Sequence, residues 1–596
     1  MAESVDDLKI RIRELEKEVA LWKSKVKDVR YGFKWLDIPE AFDRESENKI
    51  PILEEVREKA VDAEGALATT SPHILIEGDN YHALTCLNYT HRGKIDVIYI
   101  DPPYNTGSDG FTYKDKRFLT EYPDGQKVPK DHPLRHSYWL SFMEKRLKLA
   151  KNLLSEKGAI FISIDDNEQA NLKLLCDKIF GEGNFVCNII WQSTVGSNTG
   201  TDIITTTENV LVYSKNRLSC KFDGKQTPDS NFKWSDQFEN IRGKYTLDKL
   251  DSKRVGIHYS DALNYPLKMP DGKFQWPGGG SEKSKEGWNY LWSKAKVEWG
   301  IANDFIVFKK NKNKWNVYNK RYSKVDSSGN QIQRTFPYRN LILSNEFNTA
   351  QGTTEISNIF GKRVFDYPKS SKFIQYLLSM KVRTQPSSLI LDFFAGSGTT
   401  LHATMKLNAE DGGNRQCILI QQAEGKNNIC ERVTYERNRR VMQGYTNSKG
   451  EAIEGFGGHL KYYKTNFVGK HPSERATDAD NVELADKAGC LIALAENTLE
   501  SVNAPESANG FWQIYSNAEA KKHYTCIYHN GDYERVPEFV EAIDALRVVD
   551  KKAKFAVYVF SWSSPDFFEN EFDDLKNIEI KAIPKPILEI YKALNG

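Results

Sequence analysis

The stretch that most constrains this chain is Ile95-Asp96-Val97-Ile98-Tyr99-Ile100, closed at once by Asp101-Pro102-Pro103-Tyr104. A short apolar run rich in β-branched residues predicts a strand buried on both faces, which belongs in a parallel sheet covered by helices. Two prolines end that strand and leave a backbone that cannot continue into a helix. A carboxylate, a fixed carbonyl and an aromatic ring are thereby gathered at a strand's C-terminal end, where open α/β sheets bind ligands. That group suits an exocyclic amine. Asp101 and the Pro102 carbonyl can accept its two hydrogens while Tyr104 stacks on the ring that carries it. The plain alternative is a strand followed by a Pro-Pro turn.

The same rhythm recurs along the chain. Ile74-Leu75-Ile76-Glu77-Gly78-Asp79 reads as a strand with an acid at its end, and Asp79 either touches a nucleoside or caps the next helix. Asn105 to Pro133 is a polar loop too long for a mere connection, so it predicts a functional loop or lid. A helix over about Leu134–Lys157 leads to a strand at Ala159–Ile164, and Asp165-Asp166 begins another helix, with capping favoured over a metal site. Strands over Asn188–Gln192 and Glu208–Tyr213 end this half. The rhythm returns with Tyr367-Pro368-Lys369-Ser370 and a helix to Met380, then the strand Ser388–Asp392. Phe394-Ala395-Gly396-Ser397-Gly398-Thr399-Thr400 follows as a tight turn into a helix. Its glycines admit close approach of a ligand, and the helix start offers free N–H groups to an anion. Leu401 stands where a dinucleotide fingerprint needs its third glycine, and no P-loop lysine follows. A strand over Cys417–Gln421 ends near Glu424, which is placed to hold ribose hydroxyls or is a surface glutamate.

Charge separates the middle of the chain from the rest. The net charge is +2, yet Leu211–Ala350 holds 25 Lys+Arg against 14 Asp+Glu, which is +11 and leaves −9 elsewhere. Six of the twelve tryptophans (234, 276, 288, 292, 299 and 315) lie there too. Lys309, Lys310, Lys312 and Lys314 run up to Trp315, and Lys320-Arg321-Tyr322 repeats the theme. Basic residues interleaved with aromatics in an insert between two α/β halves predict contact with nucleic acid. Val5, Leu8, Ile12, Leu15, Val19, Trp22 and Val26 keep a heptad spacing that predicts a coiled-coil helix for dimerisation or docking. Beyond Lys470 the chain turns polar and then enters a last α/β domain with no constellation that carries chemistry. Eight cysteines (86, 176, 187, 220, 417, 430, 490, 526) show no metal spacing and fit a reduced, cytoplasmic protein. With no apolar run of about twenty residues and no signal-peptide core, no membrane partner is expected.

Asp-Pro-Pro-Tyr followed by an insert and then Phe-x-Gly-x-Gly resembles the β class of S-adenosylmethionine-dependent DNA amino-methyltransferases. The longer strings Asp-Pro-Pro-Tyr-Asn-Thr-Gly (101–107), Leu-Asp-Phe-Phe-Ala-Gly-Ser-Gly-Thr-Thr (391–400), Tyr-Pro-Lys-Ser (367–370) and Asn-Ala-Glu-Asp-Gly-Gly-Asn-Arg (408–415) are similar to the Mod subunits of type III restriction–modification systems. The resemblance covers about residues 31–470. It implies an α/β, Rossmann-like methyltransferase domain with circularly permuted motif order. The expected domains are the coiled-coil helix (1–30), the Asp-Pro-Pro-Tyr half (31–214), a target-recognition insert (215–346), the cofactor half (347–470) and a C-terminal interaction domain (471–596). Asp101, Pro102, Pro103 and Tyr104 would carry catalysis. Asp392, Phe394, Gly396, Gly398, Thr399 and Glu424 would line the S-adenosylmethionine pocket, with Lys369 and Ser370 adjoining it and Asp79 on the adenine side. Lys309, Lys310, Lys312, Lys314, Lys320 and Arg321 are the candidate DNA contacts. The resemblance further implies methylation of adenine N6 on a flipped base in double-stranded DNA, a homodimer, no metal, and a separate restriction subunit for cleavage. A stand-alone or cytosine-N4 enzyme, or a DNA-binding subunit needing a partner, are the alternatives; Asp at the first motif position favours adenine.

Overall fold

The computed structural model describes residues 35–37, 49–62, 71–106, 127, 132–196, 203–254, 256–283, 287–312, 314–343, 345–423, 428–502, 510–517, 519, 521–562, 568, 571–572, 575 and 578–595. The heptad helix at residues 1–30, most of the 105–133 loop and Glu424 lie outside these residues. The chain forms two compact units, one from residues up to Asp223 together with Arg339 onward, the other from Gly224 to Tyr338.

The first unit is built on a ten-stranded sheet. Its strands in chain order are β1 (Ile50–Glu55), β2 (His73–Glu77), β3 (Ile95–Ile100), β4 (Leu154–Ile164), β5 (Phe185–Gln192), β6 (Thr207–Ser214), β7 (Leu341–Ile342), β8 (Leu389–Asp392), β9 (Gln416–Gln421) and β10 (Leu460–Val468). Across the sheet they run β1-β10-β2-β9-β8-β3-β4-β6-β5-β7. From β10 to β4 every pairing is parallel, whereas β6 runs antiparallel to both β4 and β5. Thus β8, nearly three hundred residues later in the chain, lies directly beside β3. The ends of β2, β9, β8, β3 and β4 share one edge of the sheet, and the antiparallel β6 brings its first residues to that same edge.

Helices α1 (Asn80–Thr90), α2 (Ser137–Leu153) and α3 (Gln169–Phe180) pack over one face. Their Leu84, Leu87, Trp139, Met143, Leu147, Leu172 and Leu175 meet alternate strand residues Ile98, Ile100, Ile160 and Ile162 in one core. Helices α5 (Ser371–Val382) and α6 (Thr399–Asp411), preceded in the chain by α4 (Thr349–Phe360), pack on each other and against β3 and β9. Burying each such Leu or Ile is worth about 1.5–3 kcal/mol, which is why the continuous apolar runs find the centre of the sheet.

Local boundaries differ from the expectation. The helix before β4 ends at Leu153, and β4 begins immediately at Leu154. Helix α3 starts at Gln169 because Asp165 instead closes a turn, accepting from the Asn167 backbone N–H at 2.9 Å. Strand β1, in a stretch with weak sequence signals, is an edge strand whose partner is Leu460–Val468. Five strands between Glu500 and Ile583 make a separate sheet, antiparallel at first and parallel at its end. Among the described residues no helix is long and apolar enough to cross a membrane. None of the eight cysteines is in a disulfide.

The second unit has a three-stranded antiparallel sheet of Tyr245–Lys249, Lys314–Tyr322 and Ile306–Asn311, with a helix at Lys294–Ala302. It has a small core around Tyr265, Tyr290, Ile306 and Val317, with Trp292, Phe308 and Trp315 packed against it.

Candidate active site

Asp101-Pro102-Pro103-Tyr104 leaves β3 at the shared strand edge. Trp139 of α2 donates its indole N–H to the Pro103 carbonyl at 2.7 Å and so ties the turn to the helical layer. The next residue, Asn105, takes a left-handed backbone (φ 59) and is fully buried. Its amide donates to Glu168 Oε1 at 2.6 Å, and His136 Nδ1 lies 2.5 Å from the same oxygen. Two anchors, at Pro103 and Asn105, therefore hold the C-terminal half of the motif in place.

Four side chains from distant parts of the chain meet above the turn. The Tyr104 hydroxyl donates to Asp101 Oδ1 at 2.7 Å, with Glu208 Oε2 a second acceptor at 3.1 Å. Lys369 Nζ donates to the Tyr104 oxygen at 2.9 Å and pairs with Asp101 Oδ2 at 3.0 Å and Glu208 Oε2 at 3.2 Å. Three partners match the three ammonium hydrogens of Lys369. Burial works against the charge on Lys369, but Asp101 and Glu208 outweigh it and hold its pKa above the usual lysine range. Burial, followed by the same two carboxylates, pushes the Tyr104 phenol well above its ordinary value. At neutral pH Lys369 is therefore an ammonium and Tyr104 a neutral phenol. Trp191 of β5, paired in register with Glu208, stacks on Phe373 with ring centroids 4.1 Å apart and walls this side of the site.

The glycine turn after β8 is organised differently. Asp392 is buried and accepts from the Phe394 backbone N–H at 3.0 Å and the Thr400 hydroxyl at 2.5 Å. Burial pushes its carboxyl up to about 7, against those two hydrogen bonds and with a smaller contribution from Asp101. Gly396 and Gly398 have positive φ of 53 and 77, and a Cβ on Gly398 would press into the Asn438 amide. The turn is tied to strand β9 by the Gly396 N–H, which donates to Gln421 Oε1 at 2.7 Å. Buried Arg437 braces it from behind, donating to Ser397 Oγ at 2.8 Å and Thr399 Oγ1 at 2.7 Å, with Glu355 Oε2 of α4 as its ion partner at 2.9 Å. Burial opposes the charge on Glu355, but His402, Arg437 and Lys406 hold its carboxyl well below the usual range. The glycines, the buried Asp392 and the start of α6 thus form a tight turn whose Phe394 and Gly396 N–H groups are held within the protein.

Several expected roles change. Asp79 caps α1, accepting from the Tyr81 N–H at 2.7 Å, and has Arg146 within 3.4 Å. Ser370 caps α5, accepting from the Phe373 N–H at 3.2 Å, so its hydroxyl serves the helix. Lys369 reaches the Asp-Pro-Pro-Tyr cluster; only its carbonyl, which accepts from Thr399 Oγ1 at 3.3 Å, faces the glycine turn. In the second unit, Lys320 is not available to a phosphate. It is 6% exposed and is held by Asp236 at 2.8 Å and Asp304 at 2.7 Å. Arg321 pairs with Asp248 at 2.7 Å, and Lys314 donates to the Gly278 carbonyl. Lys309, Lys310 and Lys312 are exposed, the first two lying over the rings of Trp234 and Trp315. Glu208 was missed by sequence reasoning; its one signal is an acid opening the strand that runs back beside β4.

A family model described as DNA methylase, of the N6/N4 methyltransferases, matches residues 95–432. The chain belongs to the N6/N4 DNA methylase family. The type III restriction-modification enzyme StyLTI Mod subunit of Salmonella typhimurium is 31% identical over 74% of this chain and 68% of its own length. The EcoPI Mod subunit of Escherichia phage P1 is 31% identical over 59% of this chain and 58% of its own. The type II methyltransferase M.KpnI of Klebsiella pneumoniae is 35% identical over 60% of this chain and 81% of its own. As an N6/N4 methylase the chain is a DNA methyltransferase, with S-adenosylmethionine as methyl donor. The matched span contains both the Asp-Pro-Pro-Tyr cluster and the glycine turn.

Proposed function

We propose that this chain is the modification subunit of a type III restriction–modification system and methylates the N6 amino group of adenine in duplex DNA. The observation that carries this is the placement of Asp101 and Tyr104 at the end of β3, directly beside the β8 strand that ends in the glycine turn. The order of motifs along the chain is the permuted order of the β class, with residues 215–346, which contain the compact Gly224–Tyr338 unit, as the target-recognition domain. Asp392, Phe394, Gly396, Gly398 and Thr399, with Glu424 beyond the described residues, are the groups that would hold S-adenosylmethionine. When bound, that cofactor supplies an electrophilic methyl group on a sulfonium.

The protein's part is positioning. A base inside a duplex cannot reach Tyr104, so it must be flipped out of the stack. Tyr104 stacks on the flipped ring, and Asp101 with the Pro102 carbonyl accepts the two amine hydrogens. Those hydrogen bonds favour a pyramidal nitrogen whose lone pair is no longer spread into the ring. Held in line with its target, such a nitrogen needs little further activation. The surplus proton left on it after transfer passes to Asp101 or to water. Asp101 needs no raised basicity, because that proton becomes acidic only as the new bond forms.

Lys309, Lys310 and Lys312 are the proposed phosphate contacts. A homodimer through the N-terminal heptads, a separate translocating restriction subunit and a cytoplasmic setting complete the reading. The test is transfer of labelled methyl from S-adenosylmethionine to unmethylated genomic DNA, with the modified base identified. N6-methyladenine from the wild type, with a loss of about a thousandfold in Asp101→Ala, supports it. N4-methylcytosine, or no transfer by a folded protein that binds the cofactor, overturns it.

A further inference from the structure

Glu208 belongs to no motif, yet it completes the charge cluster around Asp101. Both oxygens of Asp101 are engaged in the structure, Oδ1 by the Tyr104 hydroxyl and Oδ2 by Lys369. Asp101 is also the group that must receive the hydrogen of an incoming amine, a requirement that rests on the function proposed above. Glu208 Oε2 stands 3.1 Å from the Tyr104 hydroxyl and 3.2 Å from Lys369 Nζ, so it is already the second acceptor for both donors. A hydroxyl has a single hydrogen to donate, and two carboxylates compete for this one.

We propose that Glu208 is a positioning residue that takes over the Tyr104 hydroxyl, and keeps hold of Lys369, when a base enters, so that Asp101 Oδ1 is freed for the amine. The exchange needs no large movement, because the Tyr104 hydroxyl lies within hydrogen-bond reach of both acids. Glu208 can serve this end because β6 is antiparallel. An antiparallel strand starts at the edge where its parallel neighbours finish, and Glu208 is the second residue of β6. Its register partner Trp191 is buried against Phe373, which fixes the backbone from which the carboxylate projects. Without Glu208, Asp101 would be the one carboxylate of the cluster left to both Lys369 and Tyr104, and the amine would meet an acceptor already saturated by stronger, charge-assisted partners.

The experiment uses the full chain with S-adenosylmethionine and duplex DNA under single-turnover conditions. Wild type, Glu208→Gln and Glu208→Asp are compared, with cofactor affinity and DNA affinity measured beside the transfer rate. Glu208→Gln keeps the size of the side chain but not its charge, and should slow transfer about tenfold or more with both affinities within twofold. Glu208→Asp, which keeps the charge on a shorter arm, should recover part of that rate. In a Tyr104→Phe background, where the contested hydroxyl is gone, Glu208→Gln should cost less than it does alone. A Glu208→Gln rate within twofold of an active wild type overturns the inference and leaves the methyltransferase reading standing. So does a Glu208→Asp variant as slow as Glu208→Gln, or a loss of cofactor affinity that accounts for the rate. A wild type that transfers no methyl group to DNA overturns the parent reading, and this inference with it.

Discussion

Two turns leave neighbouring strands of one sheet, and they are held by opposite means. The Asp-Pro-Pro-Tyr turn after β3 has a rigid backbone, but its working side chains sit in a cluster of charges that can exchange partners: one ammonium, two carboxylates and a phenol. The glycine turn after β8 has a permissive backbone and is locked from outside by Arg437, Gln421 and the hydrogen bonds to Asp392. Prolines stiffen the backbone of the first turn before any neighbour touches it, whereas the glycine turn depends on its neighbours. Under the proposed function the side chains of the first turn regroup around a base, which locked side chains could not do. A turn built on glycines has a permissive backbone, and fixing it is left to neighbours such as Gln421 and Arg437.

The sharpest way to test the contrast is to remove the brace behind the glycine turn. Arg437 is fully buried and carries Ser397, Thr399 and Glu355. Replacing it with Met strips an ion partner from Glu355, itself largely buried, and frees two hydroxyls. Breaking a buried pair from one side costs about 3–5 kcal/mol. Because Lys406 stays 2.9 Å from Glu355, the loss should fall near the low end of that range. Arg437→Met should still lower the melting temperature by several degrees and, under the proposed function, weaken cofactor binding with it. A variant as stable as the wild type would show that the turn holds itself.

A smaller loss should follow from Gly398→Ala. The position has a left-handed φ of 77, and the added methyl presses into Asn438, whose amide is engaged by the Thr434 carbonyl at 2.8 Å. Strain of this kind is worth about 1–3 kcal/mol. Denaturant unfolding measures it, and cofactor titration should show a parallel loss of affinity, because under the proposed function the same turn lines the cofactor pocket.

The two turns also differ in how far the sequence shows them. Both motifs could be placed at strand ends from the sequence because each is local: an apolar run, then prolines in one case and glycines in the other. Their partners are remote. Lys369 meets Tyr104 across 265 residues and Glu208 meets it across 104. No local pattern says that a lysine beside a proline will enter the Asp-Pro-Pro-Tyr cluster rather than the glycine turn. Lys320 was misread for the same reason, since Asp236 stands 84 residues away and only folding brings the two together. Strand β1 escaped notice because its β10 partner lies some four hundred residues on. Caps are ambiguous in a different way. Asp79 and Ser370 sit where a ligand contact and a helix N-cap call for the same side chain, so sequence alone offers both readings.

The smallest stability effect should come from Asp101, the residue to which the proposed function gives the chemistry. Asp101→Asn removes one of the two carboxylates facing Lys369. The ammonium keeps Glu208 at 3.2 Å, so the remaining pair is neutral rather than an uncompensated charge. The Asn carbonyl can still accept one of the hydrogen bonds that Asp101 takes now, and the site is partly open to water, which screens what is lost. Stability should therefore change by no more than about 1 kcal/mol while methyl transfer collapses. Equal unfolding curves with unequal rates would place the fold's dependence in the glycine turn and the chemistry's in the charged cluster. An Asp101→Asn variant as unstable as Arg437→Met would erase that division, because the catalytic charges would then be holding the sheet edge together as well.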